Sequence, residues 1–317
     1  IAAVADEAAA ERFWRRYIQG SSGPLRGGLT PAGVGPAIMA ALAAGEGRTE
    51  RNLAALVKSS FGACSAGGER EGGQSERLVE ALAASIDEQI ASGLIALPPD
   101  GRSEKTILRL APLGRNCALR GIEPEVWRRL KTLAALDPNF SLTDGDDASM
   151  IPAIWGLALA APPGFWPASR PAAAASAIER AREWFAARET PAPPTIAARL
   201  DPDRGADPRA AGAIEAGWRL ARWIGPDPTP EVERATGWSA GMLQRAGEGV
   251  AWLAFALAEA GILQGWSAER ARAWRPLGTR LATGAPARGI ELARMGLSAL
   301  GRTGLRRLCA EGIESGP

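Results

Sequence analysis

Arg245 and Trp252 carry the clearest chemistry in the chain. Both lie in the run GMLQRAGEGVAWLAFALAEA at residues 241–260, whose alanine and leucine content favours helix. Their spacing of seven residues is two helical turns, so both side chains leave one face. A guanidinium there can hold a phosphate while the indole stacks on a base, a pairing that suits single-stranded nucleic acid. Downstream, Leu300-Gly301-Arg302-Thr303-Gly304 reads as a hairpin between helices expected at 286–295 and 303–310. Glycines such as Gly301 let backbone N–H groups approach a phosphate, and Arg302, Arg306 and Arg307 add charge.

Charge distribution says more than net charge. The 317 residues sum to only +2, yet residues 266–317 hold nine Arg against four Glu. A basic end of this kind reads as a phosphate-facing surface or as a solvated helical face. Of the cations only Lys58, Lys105 and Lys131 are lysines; a GC-rich coding sequence and phosphate recognition both account for that bias. Hydrophobic residues at 46% and charged ones at 23% are ordinary for a soluble globular chain, long enough here for two or three cores. Few β-branched residues make helix the expected class. Cys64, Cys117 and Cys309 are too scattered for a disulfide scaffold and point to a reducing cytoplasm. No secretory leader is legible in residues 1–10, which carry Asp6 and Glu7. The longest apolar run, 249–263, is interrupted by Glu259, so no membrane span is expected.

Several chemistries are excluded outright. There is no histidine, which removes Ser-His-Asp and Cys-His catalysis and most zinc sites. A Walker A loop needs GxxxxGK[ST], and none of the three lysines follows a glycine. The chain by itself therefore has no expected ATPase activity, no catalytic residue and no metal site. Asp6-Glu7-Ala8-Ala9 looks like a DEAD-type box but has no P-loop before it. Asp144, Asp146 and Asp147 sit in a Gly/Ser/Thr-rich stretch that reads as a solvated turn or helix cap.

These residues need a scaffold. After a helical stretch at 6–19 and a loop, residues 31–120 read as a winged helix. Its helices are expected at 31–44, at 50–60 with Thr49 as cap, and at 75–92 with Leu78, Leu82, Ile86 and Ile90 at helical spacing. Strand patterns at 94–97 and 106–110 flank Pro98-Pro99-Asp100-Gly101, a turn signal, and form the wing. Residues 121–265 read as one bundle, with helices expected at 124–136, 149–160, 174–188, 207–224 and 231–263 and a linker-like break at 189–194. Trp155, Trp166, Trp184, Trp218, Trp223 and Trp238 read as packing residues of that bundle.

This order of segments resembles the C-terminal region of HelQ/Ski-like superfamily-two DEAD/DEAH-box DNA helicases. The likeness is carried by Tyr17-Ile18-Gln19-Gly20 with Pro24-Leu25, by Ser59-Ser60-Phe61, by the 241–260 helix, and by Gly301-Arg302, Arg306 and Gly312-Ile313. Departures are Ala299, two residues before Gly301, where the first glycine of the hairpin pattern is replaced, and Leu305 in place of alanine. The resemblance implies a mainly α fold in four parts: 1–30 leaving a RecA-like motor domain, 31–120 the winged helix, 121–265 a ratchet bundle, and 266–317 a helix-hairpin-helix. It implies motor domains upstream that bind ATP and Mg2+, single-stranded or forked DNA as partner, and 3′ to 5′ movement, with Arg245 and Trp252 acting as a pawl. The absence of an initial Met fits a fragment of a longer protein.

Two readings compete with that one. The same bundle can dock a nuclease or other effector in a bacterial defence or repair complex. A transcription regulator using the winged helix is disfavoured: residues 75–92 carry Glu76, Glu80, Asp87 and Glu88 against Arg77, a face that repels phosphates.

Overall fold

Alanine, leucine and arginine put most of the chain into helix, and the protein is mainly α. The computed structural model describes residues 29–45, 48–59, 73–96, 101–103, 105–133, 147–162, 164–167, 170–189, 191–201, 207–296 and 300–314. Among them are fourteen α-helices and two strands of two residues each. The chain divides into two compact units, residues 1–91 with 95–110, and residues 92–94 with 111–317. Residues 1–28 of the expected motor-exit segment, the Ser60-Phe61 helix ending, Asp144 and Asp146 lie outside the described residues.

In the first unit, a 3-10 turn leads into α1 (Val34–Ala43), followed by β1 (Arg48–Thr49), α2 (Glu50–Lys58), α3 (Gly73–Ala91) and β2 (Ile107–Leu108). Thr49 caps α2 as its sequence position suggests, its hydroxyl accepting from Asn52 N at 3.2 Å. The helical spacing of Leu78, Leu82 and Ile86 becomes a core with Val34, Ile38, Leu42, Leu53 and Val57. The expected antiparallel pairing of 94–97 with 106–110 is present, and a third segment joins it. Ile95 bridges Leu110, and β2 pairs antiparallel with β1, with Arg48 opposite Leu108. The short stretch before α2 thus contributes an edge that no hydrophobic alternation announces. Residues 97–100, which include the expected Pro98-Pro99-Asp100 turn, lie outside the described residues. Arg102, just after them, forks onto Glu50 at 2.9 Å and also pairs with Asp87.

The second unit holds α4 (Pro112–Leu119), α5 (Pro124–Thr132), α6 (Asp147–Ala160), α7 (Pro171–Ala187), α8 (Pro194–Leu200), α9 (Pro208–Ile224), α10 (Thr229–Thr236), α11 (Ala240–Leu263), α12 (Ala268–Thr283), α13 (Ile290–Arg294) and α14 (Gly301–Ala310). Trp155 sits at one centre, fully buried, with Trp184, Phe185 and Trp218 within 5.5 Å between ring centroids. Its indole N–H reaches the Ile214 carbonyl at 3.1 Å. Gly217 leaves room for the ring, since a Cβ there would stand 2.3 Å from Trp155 Cδ1.

Three boundaries depart from the sequence reading. The split between units falls after Leu110 rather than after residue 120, because α4 packs on α11. The helix expected over 231–263 is two helices. Gly237 takes a left-handed φ of +67° that ends α10, and Ser239 starts α11 by accepting from Met242 N at 3.4 Å. The expected C-terminal domain opens with an unforeseen helix, α12, which forms the most extensive helix pair with α11. The small cluster of Ala285, Leu292, Ala293 and Leu305 lies within the terminal segment after α12.

By length and composition α11 is apolar enough to cross a membrane, despite Glu259, yet 56% of its apolar window is buried inside the protein. That burial accounts for its apolarity as a core helix.

Candidate nucleic-acid interface

Helix α11 is held so closely that its opposite face has a fixed direction. Gly247 lies against the backbone of α12: a Cβ there would stand 2.0 Å from Leu281 O. On α12, Gly278 makes room for Phe255, whose Cε1 would stand 2.7 Å from an added Cβ. Leu243, Val250, Leu253, Ala254 and Leu257 point inward.

The outward face carries Arg245, Glu248, Gly249, Trp252 and Glu259. Arg245 is exposed and has no ion pair among the described residues, whereas Glu248 is bonded by Gln244 at 3.0 Å. Two turns on, Trp252 is half-buried. Its Nε1 donates to the Arg120 carbonyl at 2.7 Å, which fixes the indole plane. Gly121 lies under its edge, at a φ of +66° and 3.9 Å from a would-be Cβ to Trp252 Cζ2. Trp252 is therefore neither sealed in the core nor free to turn. Further along, Glu259 takes hydrogen bonds from Asn116 at 3.2 Å and from Arg120.

Phe165 was not foreseen. It lies across Gly249, where a Cβ would meet its Cζ at 2.3 Å, and it stays 39% exposed. Its ring stands edge-on to Trp166 at 4.6 Å, and Trp166 is tied to the Ala158 carbonyl at 2.8 Å. The sequence held one signal for this: a glycine in mid-helix, which costs stability unless something must pass close to it. Phe165 and Trp252 thus flank the same turn of α11.

The C-terminal arginines are spent differently from the expectation. Arg302 is only 4% exposed. It donates to the carbonyls of Trp223 at 2.8 Å, Gly225 at 3.0 Å and Asp227 at 2.6 Å, and to Thr229 Oγ1 at 3.0 Å. The Trp223 and Gly225 carbonyls belong to the end of α9, whose orphan acceptors and negative dipole end Arg302 caps, and Asp227 lies in the turn that follows. Burial, with nearby Arg306, lowers its pKa to about 10, leaving it charged at neutral pH. Arg280, also buried, donates to the Ile224 carbonyl at 2.9 Å. Arg302 is thus a structural cation, so the reading of it as a phosphate contact is corrected. Arg306 is half-buried and reaches Gly225 O at 3.3 Å. Arg307 is exposed and pairs with Glu311 at 3.2 Å. Gly301 has a φ of +62° with open space where a Cβ would go, and it begins α14 rather than lying within a hairpin; residues 297–299 lie outside the described ones.

The described residues contain no cluster of His, Cys, Asp and Glu fit for a metal. Cys117 is buried, and burial raises its thiol to about 12, which keeps it unreactive. No protein-family model and no curated protein matches the chain.

Proposed function

We propose that the chain is an accessory nucleic-acid-binding region of an ATP-dependent 3′ to 5′ DNA helicase, guiding a single strand during unwinding. In this reading the first unit is a winged helix and the second a ratchet bundle ending in a helix-hairpin-helix. ATP and Mg2+ belong to RecA-like motor domains outside the chain. The observation that supports it best is the outward face of α11: a solvent-facing arginine with no ion pair among the described residues, two turns from an indole held at a fixed angle. Such a face offers a phosphate a charge and a base a flat surface. Residues 301–307 support it less than their charge suggests, because Arg302 is consumed by α9.

Labelled oligonucleotide anisotropy tests the reading. The isolated chain is expected to bind single-stranded DNA weakly, with affinity falling steeply as salt rises. Trp252→Ala is expected to weaken binding by about 1–3 kcal/mol, and Arg245→Ala to flatten the salt slope by about one phosphate contact. Trp252→Phe separates stacking from folding. It keeps a flat ring but loses the bond to Arg120, so it should retain most affinity while lowering the melting temperature slightly. Folded variants with unchanged affinity would remove α11 from the interface. No binding even at low salt would favour the protein-docking alternative. ATP turnover by the pure chain should be zero, since no lysine stands in a phosphate-binding loop.

A further inference from the structure

Between α7 and α9 lies a cleft of about 290 Å³ that opens beside the start of α11; its walls include Pro167, Ser176, Arg180, Glu215, Arg219 and Trp238. Its volume is near the lower limit of small-ligand sites, about 300–1,000 Å³, room for one compact group rather than an extended run.

Its charge is unbalanced. Arg180 donates to one oxygen of Glu215, and Arg219 pairs with the other at 3.2 Å. Two guanidiniums on one carboxylate leave one positive charge over. The Arg219 Nε is buried and has no acceptor among the described residues, and an orphan buried donor is costly unless something else meets it. The same guanidinium lies 4.6 Å from the centroid of the Trp238 ring. A cation layered on an indole, beside a second cation, is the chemistry that one phosphate and one base demand together.

Location gives the cleft its occupant. Trp238 directly precedes Ser239, the cap of α11, and Pro167 closes the segment whose Phe165 covers Gly249 of α11. Arg245 stands only roughly 8 Å of helix rise from the start of α11. We propose that this cleft receives one nucleotide of the single strand that runs along α11, its phosphate on Arg180 and Arg219 and its base against the Trp238 side. The proposal rests on the reading of α11 as a strand-binding face and extends that face past the helix start by one nucleotide.

The test uses the whole chain and an oligothymidylate carrying 5-iodouracil, with photocrosslinks mapped by mass spectrometry and binding followed against salt. Crosslinks are expected at Trp238 as well as Trp252. Arg180→Gln is expected to abolish the Trp238 crosslink and flatten the log–log salt slope by about 0.7, one single-strand phosphate contact. Arg219→Gln should do the same; if it melts early, the half-exposed Arg180 carries the test alone. Crosslinking at Trp252 without Trp238, and an unchanged slope in Arg180→Gln, overturns the cleft but spares α11. Crosslinks at neither residue, with no salt-dependent binding, overturn both. Thymidine monophosphate supplies the remaining arm: if it suppresses the Trp238 crosslink at concentrations as low as unlabelled oligothymidylate does, the cleft is a site for free nucleotide and the strand proposal falls.

Discussion

A single methyl at Gly247 is expected to cost about 3 kcal/mol and to lower the melting temperature by roughly 6–12 °C. The new Cβ would stand 2.0 Å from Leu281 O and 3.0 Å from Leu281 C. Both are backbone atoms of α12, which cannot turn aside as a side-chain tip can. Leu281 O is also the acceptor of the Trp223 indole N–H at 3.0 Å, so parting the helices strains a buried hydrogen bond as well. Gly241→Ala is the internal control. It lies in the first turn of the same helix with nothing within 4 Å of its would-be Cβ, and alanine there should stabilise by up to about 1 kcal/mol through helix propensity. Thermal unfolding of the two variants should therefore shift in opposite directions. Equal melting temperatures would show that α11 and α12 are not packed backbone to backbone, and the outward face would lose its fixed direction.

Residues whose partners are close in sequence were legible, and those with distant partners were not. Thr49 could be named as a cap because the amide it serves is three residues away. Leu78, Leu82 and Ile86 could be placed on one face because charged residues fill the other. Helix α11 offered less, being apolar nearly all round, and that evenness hid the break at Gly237 and Ser239 inside what read as one long helix. Helix α12 was missed because its arginines and Pro276 mask the inward stripe of Ala271, Trp274, Leu277 and Leu281.

The site shows the same division. Spacing alone put Arg245 and Trp252 on one face, since seven residues of helix need no tertiary knowledge. Nothing local told that Trp252 would be pinned by a carbonyl 132 residues away, or that Phe165 would cross the helix at Gly249. The six tryptophans read as packing residues also divide by neighbours rather than by sequence. Trp155, Trp184 and Trp223 are buried, while Trp238 lines an open cleft with Arg219 on its face.

Arg302→Ala should cost on the order of 3 kcal/mol in stability while leaving DNA affinity intact well below the melting point. Its guanidinium makes four hydrogen bonds, two to carbonyls at the end of α9, one to the Asp227 carbonyl in the turn beyond it and one to Thr229. Alanine leaves those acceptors facing a cavity beside Trp223, with Arg280 on Ile224 O and Arg306 on Gly225 O as the cations that stay at that helix end. Gly284 sharpens the fit: it turns the chain at a φ of +64°, and a Cβ there would stand 2.8 Å from Arg302 Cδ. Lysine should recover little, because one ammonium cannot fork onto acceptors set around a planar group. Arg307→Ala is the counterpart. Its side chain is 83% exposed and pairs only with Glu311 among the described residues, so stability should barely move. Melting curves and salt-dependent anisotropy on the three variants decide the matter. If Arg302→Ala keeps its melting temperature but loses a phosphate contact's worth of salt slope, the arginine faces DNA after all and its role at the end of α9 is wrong.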